Sequence, residues 1–381
     1  MRIHVLPLLA IALLSPIPAG AEERKTVPTT PLTLDENGLP IVSVTLHSLR
    51  TWNATRTFRF LLDTGSGACA VDSTVPSEFF WDEPDIDTTL VDSANQSMGA
   101  RSVILKRVEV GKVMRDGIMA VRMDLRAQVG RFQDEPLDGI LGMSFLRGTR
   151  FLLDPKAGRL VWWENHVSSD GRLPITEGPD GPLIRLRFGG QETSVLVDTG
   201  ASGGIQLPNS LLPKGEGRAV ASVGLSGVEQ AGSEVMVDRI GAGSSAWTNL
   251  PVEFQGTGAT GGIGARVWLA APVCFDFITN HVSFTLDAAG NLPIRRERNR
   301  NLPIVWDRKG GTQRLVVLKV KPGSAMEKAG CQIGDELIQV GDLQGANLTR
   351  RAVQDRVATG ARHVWVVRRN GQDVKLQFGP S

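Results

Sequence analysis

Cysteine, histidine and long apolar runs are all scarce in this 381-residue sequence. Cys69, Cys274 and Cys331 form an odd set without metal-ligand spacing, so they imply no disulfide framework. Each sits among apolar or small residues, the usual setting of a buried thiol. The five histidines, His4, His47, His166, His281 and His363, are scattered, which argues against a zinc hydrolase. Beyond the first residues no segment approaches the ~20 apolar residues of a membrane-spanning helix. No nucleic-acid motif is present either, although residues 293–381 carry 17 Lys and Arg against 8 Asp and Glu. That basic excess is dispersed along apparent strands and turns and reads as a solvated face, joined to an acidic body.

At the N-terminus, Arg2 precedes the apolar run Val5 to Leu14, then Pro16, Pro18 and Ala19-Gly20-Ala21. The basic, apolar and small-residue order is that of a secretory signal over 1–21, with cleavage expected after Ala21. The expected mature protein is periplasmic or secreted and has no transmembrane segment after cleavage; the competing reading keeps the segment uncleaved as a membrane anchor, for which its apolar run is short.

What organises the remainder is a duplication. Phe60-Leu61-Leu62-Asp63-Thr64-Gly65-Ser66-Gly67 is a buried-strand pattern that stops at an acid, a hydroxyl and a glycine. Val195-Leu196-Val197-Asp198-Thr199-Gly200-Ala201-Ser202 repeats it. Each follows a turn and a strand (Asn37 to Val44; Asp180 to Arg187), and each precedes a polar section, Asp92–Arg101 or Ser222–Glu234, shaped like a mobile hairpin. Ile140-Leu141-Gly142 then aligns with Gly262-Ile263-Gly264, and the register carries Asp154 onto Asp276 and Trp162 onto Phe284. The first copy is longer mainly through Asp124–Asp134, which reads as a surface insertion. Short strands, glycine turns and little helical periodicity make both copies mainly β.

A carboxylate at the end of a buried strand is costly unless it is used or paired. Two held together cannot both ionise, so one retains a proton while the other can activate water. Gly65 and Gly200 would allow close approach, and the hydroxyls of Thr64 and Thr199 could bond across the pair.

These residues resemble the two active-site motifs of aspartic proteases of the pepsin and retropepsin kinds, and Asp138-Gly139-Ile140-Leu141-Gly142-Met143 resembles the strand packed behind the active-site loop in that family. The resemblance spans roughly residues 31–287. It implies a two-lobed fold of pseudo-twofold β-barrel-like lobes, with Asp63 and Asp198 catalytic. It also implies support from Thr64, Gly65, Ser66, Thr199, Gly200 and Ala201, flaps formed by the polar hairpins, a polypeptide substrate between the lobes, and no cofactor or metal. The absence of tyrosine departs from pepsins, which carry one in the flap, and favours the retropepsin-like branch. Gly262 stands where a bulkier apolar residue is usual, which would loosen the second lobe.

Asn291 to Arg300 is a polar, basic connection of the kind that marks a domain boundary. Beyond it, Arg314–Val320 reads as a strand, Ser324 as the cap of a short helix ended by Gly330, and Asp335–Val340 as a strand. Thr349–Ala358 reads as a helix, and Asn370-Gly371 as a hairpin turn. Pro322 to Ala329-Gly330 with Ile333-Gly334-Asp335 to Val340 resembles the core of a bacterial PDZ domain, an α+β module that implies a peptide or protein ligand. Pro303 sits in the expected carboxylate-binding loop where a glycine is usual and has no amide to donate. The expected organisation is therefore signal peptide 1–21, first lobe 22–163, second lobe 164–290, linker 291–300 and PDZ-like domain 301–381. The expected function is exported aspartic endopeptidase. The alternative is an inactive protease-fold scaffold that recruits partners through its C-terminal domain.

Overall fold

A computed structural model describes residues 28–51, 54–91, 97–162, 171–178, 181–215, 217–223, 229–256, 261–295, 302–308 and 312–378. The expected signal peptide, the core of the linker and the tips of both polar hairpins lie outside the described residues. The first half contains strands β1 (Thr29–Leu34), β2 (Pro40–His47), β3 (Thr55–Leu62), β4 (Cys69–Asp72), β5 (Phe80–Val91), β6 (Ser97–Val110), β7 (Val113–Met123) and β8 (Gly139–Leu141). A single helical turn α1 (Met143–Leu146) follows, then β9 (Arg150–Asp154) and β10 (Arg159–Trp162). The second half has β11 (Gly171–Pro174), β12 (Thr176–Glu177), β13 (Pro182–Phe188), β14 (Gln191–Val197), β15 (Ile205–Leu207), β16 (Arg218–Val223), β17 (Glu229–Ala242), β18 (Ser245–Gln255) and β19 (Gly261–Ile263). These are followed by α2 (Ala265–Trp268), β20 (Val273–Asp276) and β21 (His281–Phe284). The duplication seen in sequence is a duplication of topology: β3 pairs in parallel with β8, and β14 in parallel with β19, by the same three-residue ladder.

The halves are knit together rather than merely adjacent. β20 of the second half pairs with β9 of the first, so the order β11-β21-β20-β9-β10-β1 forms a continuous floor beneath both halves. Aromatic rings fill the seam: Phe151 lies 5.3 Å from Phe275 and 5.6 Å from Trp162, and Trp268 lies 5.5 Å from Phe275. One apolar core runs through both halves. Burial of this size, at about 25 cal/mol per Å² of apolar surface, is what holds the two loops at β3 and β14 in fixed relation.

The C-terminal unit has its own core. It contains β22 (Ile304–Asp307), β23 (Arg314–Val317), α3 (Ala325–Lys328), β24 (Glu336–Val340), β25 (Leu343–Gln344), α4 (Arg350–Ala358), β26 (His363–Arg369) and β27 (Gln372–Phe378). The expected caps are present. Ser324 accepts from the Glu327 amide, and Thr349 from the Ala352 amide. β26 and β27 close around the Asn370-Gly371 turn, both residues at positive φ. β23 stops at Val317 rather than Val320, because the amides of Leu318 and Lys319 turn to the Pro303 carbonyl.

One expectation needs correction. Residues 124–134 are not a free surface excursion: Leu125 and Gln133 are fully buried, and the segment packs against β22 of the C-terminal unit. The segment finds partners across the chain, with Gln133 Nε2 donating to Asp35 and the Phe132 main-chain carbonyl accepting from Asn37 Nδ2.

The two ladder strands also answer the question raised by Gly262. The matched first glycines are equally tight, a Cβ on Gly139 falling 2.3 Å from the Phe60 ring and one on Gly261 2.2 Å from the Gln206 carbonyl, whereas one on Gly262, the counterpart of Ile140, meets only the end of Gln206 at 3.9 Å. In urea denaturation, Gly139→Ala should lose about 1–3 kcal/mol through overpacking. Gly262→Ala should stay within about 0.5 kcal/mol of wild type. Equal losses would contradict this account of the two ladders.

Candidate active site

β3 and β14 each begin polar and exposed and turn apolar at their ends, Phe60-Leu61-Leu62 and Val195-Leu196-Val197, before releasing the chain into a tight loop carrying the acid. The loops are anchored alike: the Asp63 amide donates to Leu141 O at 3.1 Å and the Asp198 amide to Ile263 O at 3.0 Å. Between them stand Thr64 and Thr199, both fully buried. Thr64 Oγ1 donates to Val197 O at 2.7 Å and accepts from the Thr199 amide at 3.1 Å. Reciprocally, Thr199 Oγ1 donates to Leu62 O at 2.8 Å and accepts from the Thr64 amide at 3.0 Å. Four bonds thus lock one loop to the other, and each hydroxyl uses its donor and an acceptor.

That lock sets the two carboxyls side by side, each lying against the glycine of the opposite loop and close enough for their charges to interact. Gly65 and Gly200 make the approach possible. A Cβ on Gly65 would lie 2.5 Å from Asp198 Cγ, and one on Gly200 would lie 2.3 Å from Asp63 Cγ. No side chain fits at either place.

The electrostatics are unequal. Both acids are raised above the ordinary value of 3.8, first by desolvation among the packed loops. Asp63 is raised well above it, because the Asp198 charge adds to its burial. Asp198 Oδ1 accepts from the amides of Gly200 at 2.9 Å and Ala201 at 3.0 Å. On the other side Gly65 N donates to Asp63 Oδ1 at 2.9 Å. The two acids therefore titrate as one coupled unit, pushed above the ordinary aspartate range by their burial and by each other.

Every residue expected at the site falls in these two loops. Ser66 and Ala201 break the symmetry, since Ser66 Oγ donates to Ala68 O at 2.8 Å while Ala201 has no hydroxyl. Of the expected flaps, residues 97–101 lie on β6, and 222–223 and 229–234 on β16 and β17; residues 92–96 and 224–228 lie outside the described residues. A brace went unread in the sequence. The Asp138 carboxyl accepts from the Arg59 amide at 3.0 Å and from Arg126 at 2.7 Å, fixing β8 to β3 just below Asp63. An acid immediately before the apolar Gly139-Ile140-Leu141 strand was the available signal.

A family model for aspartyl proteases matches residues 48–145, which include β3, the Asp63 loop, β8 and most of α1. Among curated proteins, none matches this chain. The family match and the mainly β, two-lobed structure together support a protease-like function.

Thr199→Val keeps the volume but strands a buried amide and a buried carbonyl, so it should cost about 2–5 kcal/mol in urea unfolding. Thr199→Ser, which keeps both bonds, should cost far less. A neutral valine variant would contradict the lock. The carboxyl pair carries a second expectation. A group with a raised folded-state pKa contributes stability in full below its unfolded value and loses it as pH rises through the folded value. The isosteric Asp63→Asn should therefore melt higher than wild type at pH values where the pair ionises, with the difference shrinking below about pH 4. A constant difference across the titration would contradict the shifted pair.

Proposed function

We propose that this chain is an exported aspartic endopeptidase in which Asp63 and Asp198 together activate a water against a peptide carbonyl. The single observation that carries the reading is the close approach of two desolvated carboxyls at the meeting point of two twofold-related loops. In this reading the ionised Asp198 takes a proton from the attacking water, whose oxygen bonds to the carbonyl carbon. Asp63 gives its proton to the carbonyl oxygen, producing a neutral gem-diol. A proton then passes to the amide nitrogen as the C–N bond breaks, leaving one new carboxyl and one new amine. Thr64, Gly65, Ser66, Thr199, Gly200 and Ala201 hold the pair; none is needed as a proton carrier. The substrate is an extended polypeptide lying between the lobes, under the β5–β6 and β16–β17 hairpins.

The C-terminal unit is read as a PDZ-like peptide-binding module. Its order of strand, strand, short helix, strand, strand, helix and two closing strands supports that reading, as does the resemblance of Pro322–Val340. The N-terminal apolar segment supports export to the periplasm or outside the cell.

Asp63→Asn and Asp198→Asn should each reduce cleavage of an unfolded protein such as reduced casein by at least about 10²–10⁴-fold, the usual scale of a lost proton-transfer group. Both variants should keep the wild-type circular dichroism spectrum. Wild-type activity should fall as pH climbs through the raised value of Asp63, because the proton donor is then lost. Full activity in either variant would exclude the paired-acid mechanism, and an inactive wild-type chain that binds peptides would favour the scaffold.

A further inference from the structure

The C-terminal unit does not hang free. β22 is the edge strand of its sheet, and α4 runs alongside, so that Trp306 and the first turn of α4 form the mouth of a cleft. Into this mouth comes the segment Val129 to Asp134 of the first lobe. The Asp134 carboxylate accepts from Trp306 Nε1 at 2.9 Å, from the Arg350 amide at 2.6 Å and from the Arg351 amide at 3.1 Å. Two of these donors are unsatisfied first-turn amides of a nine-residue helix, where an anion is favoured by the helix dipole as well.

Two arginines bind the backbone of the same segment. Arg308, stacked 5.5 Å over the Trp306 ring, donates to the carbonyls of Gly130, Gln133 and Asp134. Arg350 is only 4% exposed; it donates to Ile304 O within its own unit and to Phe132 O and Asn37 Oδ1 of the first lobe. The segment, whose residues 129–132 form a 3-10 turn, is thus held through its main-chain carbonyls and one acid by side chains and helix amides beside the edge strand, without pairing to β22 itself. The donors available for the acid lie at the α4 end, while Pro303 at the other end has its carbonyl occupied by Leu318 and Lys319 and no amide to offer. The cleft is therefore equipped for an internal acidic side chain, not a chain terminus.

We propose that the β22–α4 cleft is a binding site for internal acidic peptide segments and that residues 129–134 of this chain are its resident ligand, so that an acidic segment of another polypeptide must displace them to bind. The proposal deepens the peptide-binding reading of the C-terminal unit and is independent of the aspartate pair. The tethered segment competes at an effective concentration of about millimolar, which sets how much free ligand the intact chain requires.

The test uses the full chain and a fluorescein-labelled peptide copying residues 128–136, Gln-Val-Gly-Arg-Phe-Gln-Asp-Glu-Pro, followed by fluorescence anisotropy. Asp134→Lys, which places a cation against Arg308, Arg350 and the helix N-terminus, should bind the peptide at least tenfold more tightly than wild type. Asp134→Ala, which removes the acceptor without adding bulk, should move in the same direction. A peptide with alanine in place of its aspartate should lose at least tenfold on both variants. Equal binding to wild type and variants would show that the resident segment does not occupy the cleft; the proposal would fall and the peptide-binding reading would stand. No binding to any of the three chains would overturn both.

Discussion

The reciprocal hydrogen bonding of Thr64 and Thr199 is the constraint on which the rest depends. Two carboxyls do not stay together in a desolvated place unless something stronger than their repulsion holds the backbone. Here four bonds between buried groups do so, and each would leave an unpaired donor or acceptor if broken. Everything nearby answers to that geometry. The loops must carry glycine two residues after the acid, the strands behind them must be fixed by parallel ladders, and the lobes must not slide. The strand β20 of one half, paired to β9 of the other, supplies that last condition.

Within the symmetry lies a difference in hydrogen bonding. The loop at Asp198 offers two amides to a single carboxylate oxygen at normal hydrogen-bond lengths, while Asp63 Oδ1 accepts from Gly65 N. In the proposed chemistry, this difference assigns one carboxyl as acid and the other as base. A second asymmetry is architectural. The longer first half uses its extra residues to reach the C-terminal unit, and the same stretch continues through Glu135, paired with Arg59, and Asp138 into β8. The docking contact and the strand behind Asp63 are therefore parts of one short length of chain.

Much of this was legible in the sequence because it is local. An apolar strand that ends in Asp-Thr-Gly states its own purpose when it occurs twice, and the second occurrence supplied the partner. Ser324, Thr349 and Asn370-Gly371 announced caps and a turn through their own side chains or backbone freedom. What could not be read was long-range. Nothing in Val273–Asp276 says that it will pair with Arg150–Asp154, since strand partners are chosen by packing rather than by the strand's own pattern. Asp134 looks like any loop acid and Arg350 like any helix-face cation, yet one caps a helix 216 residues away and the other is buried. Even the insertion was visible as extra length, while its destination was not.

The central claim is that Asp63 and Asp198 behave as one titrating unit that keeps a proton. It is tested most directly by following their side-chain carboxyl resonances in protein labelled with ¹³C at the aspartate γ-carbon, with Asp63→Asn and Asp198→Asn spectra used for assignment. The account predicts two separated steps, with both resonances responding to each step and the upper step well above the ordinary aspartate value. Two independent ionisations near the ordinary value, about 3.9 for a free aspartate, would contradict it.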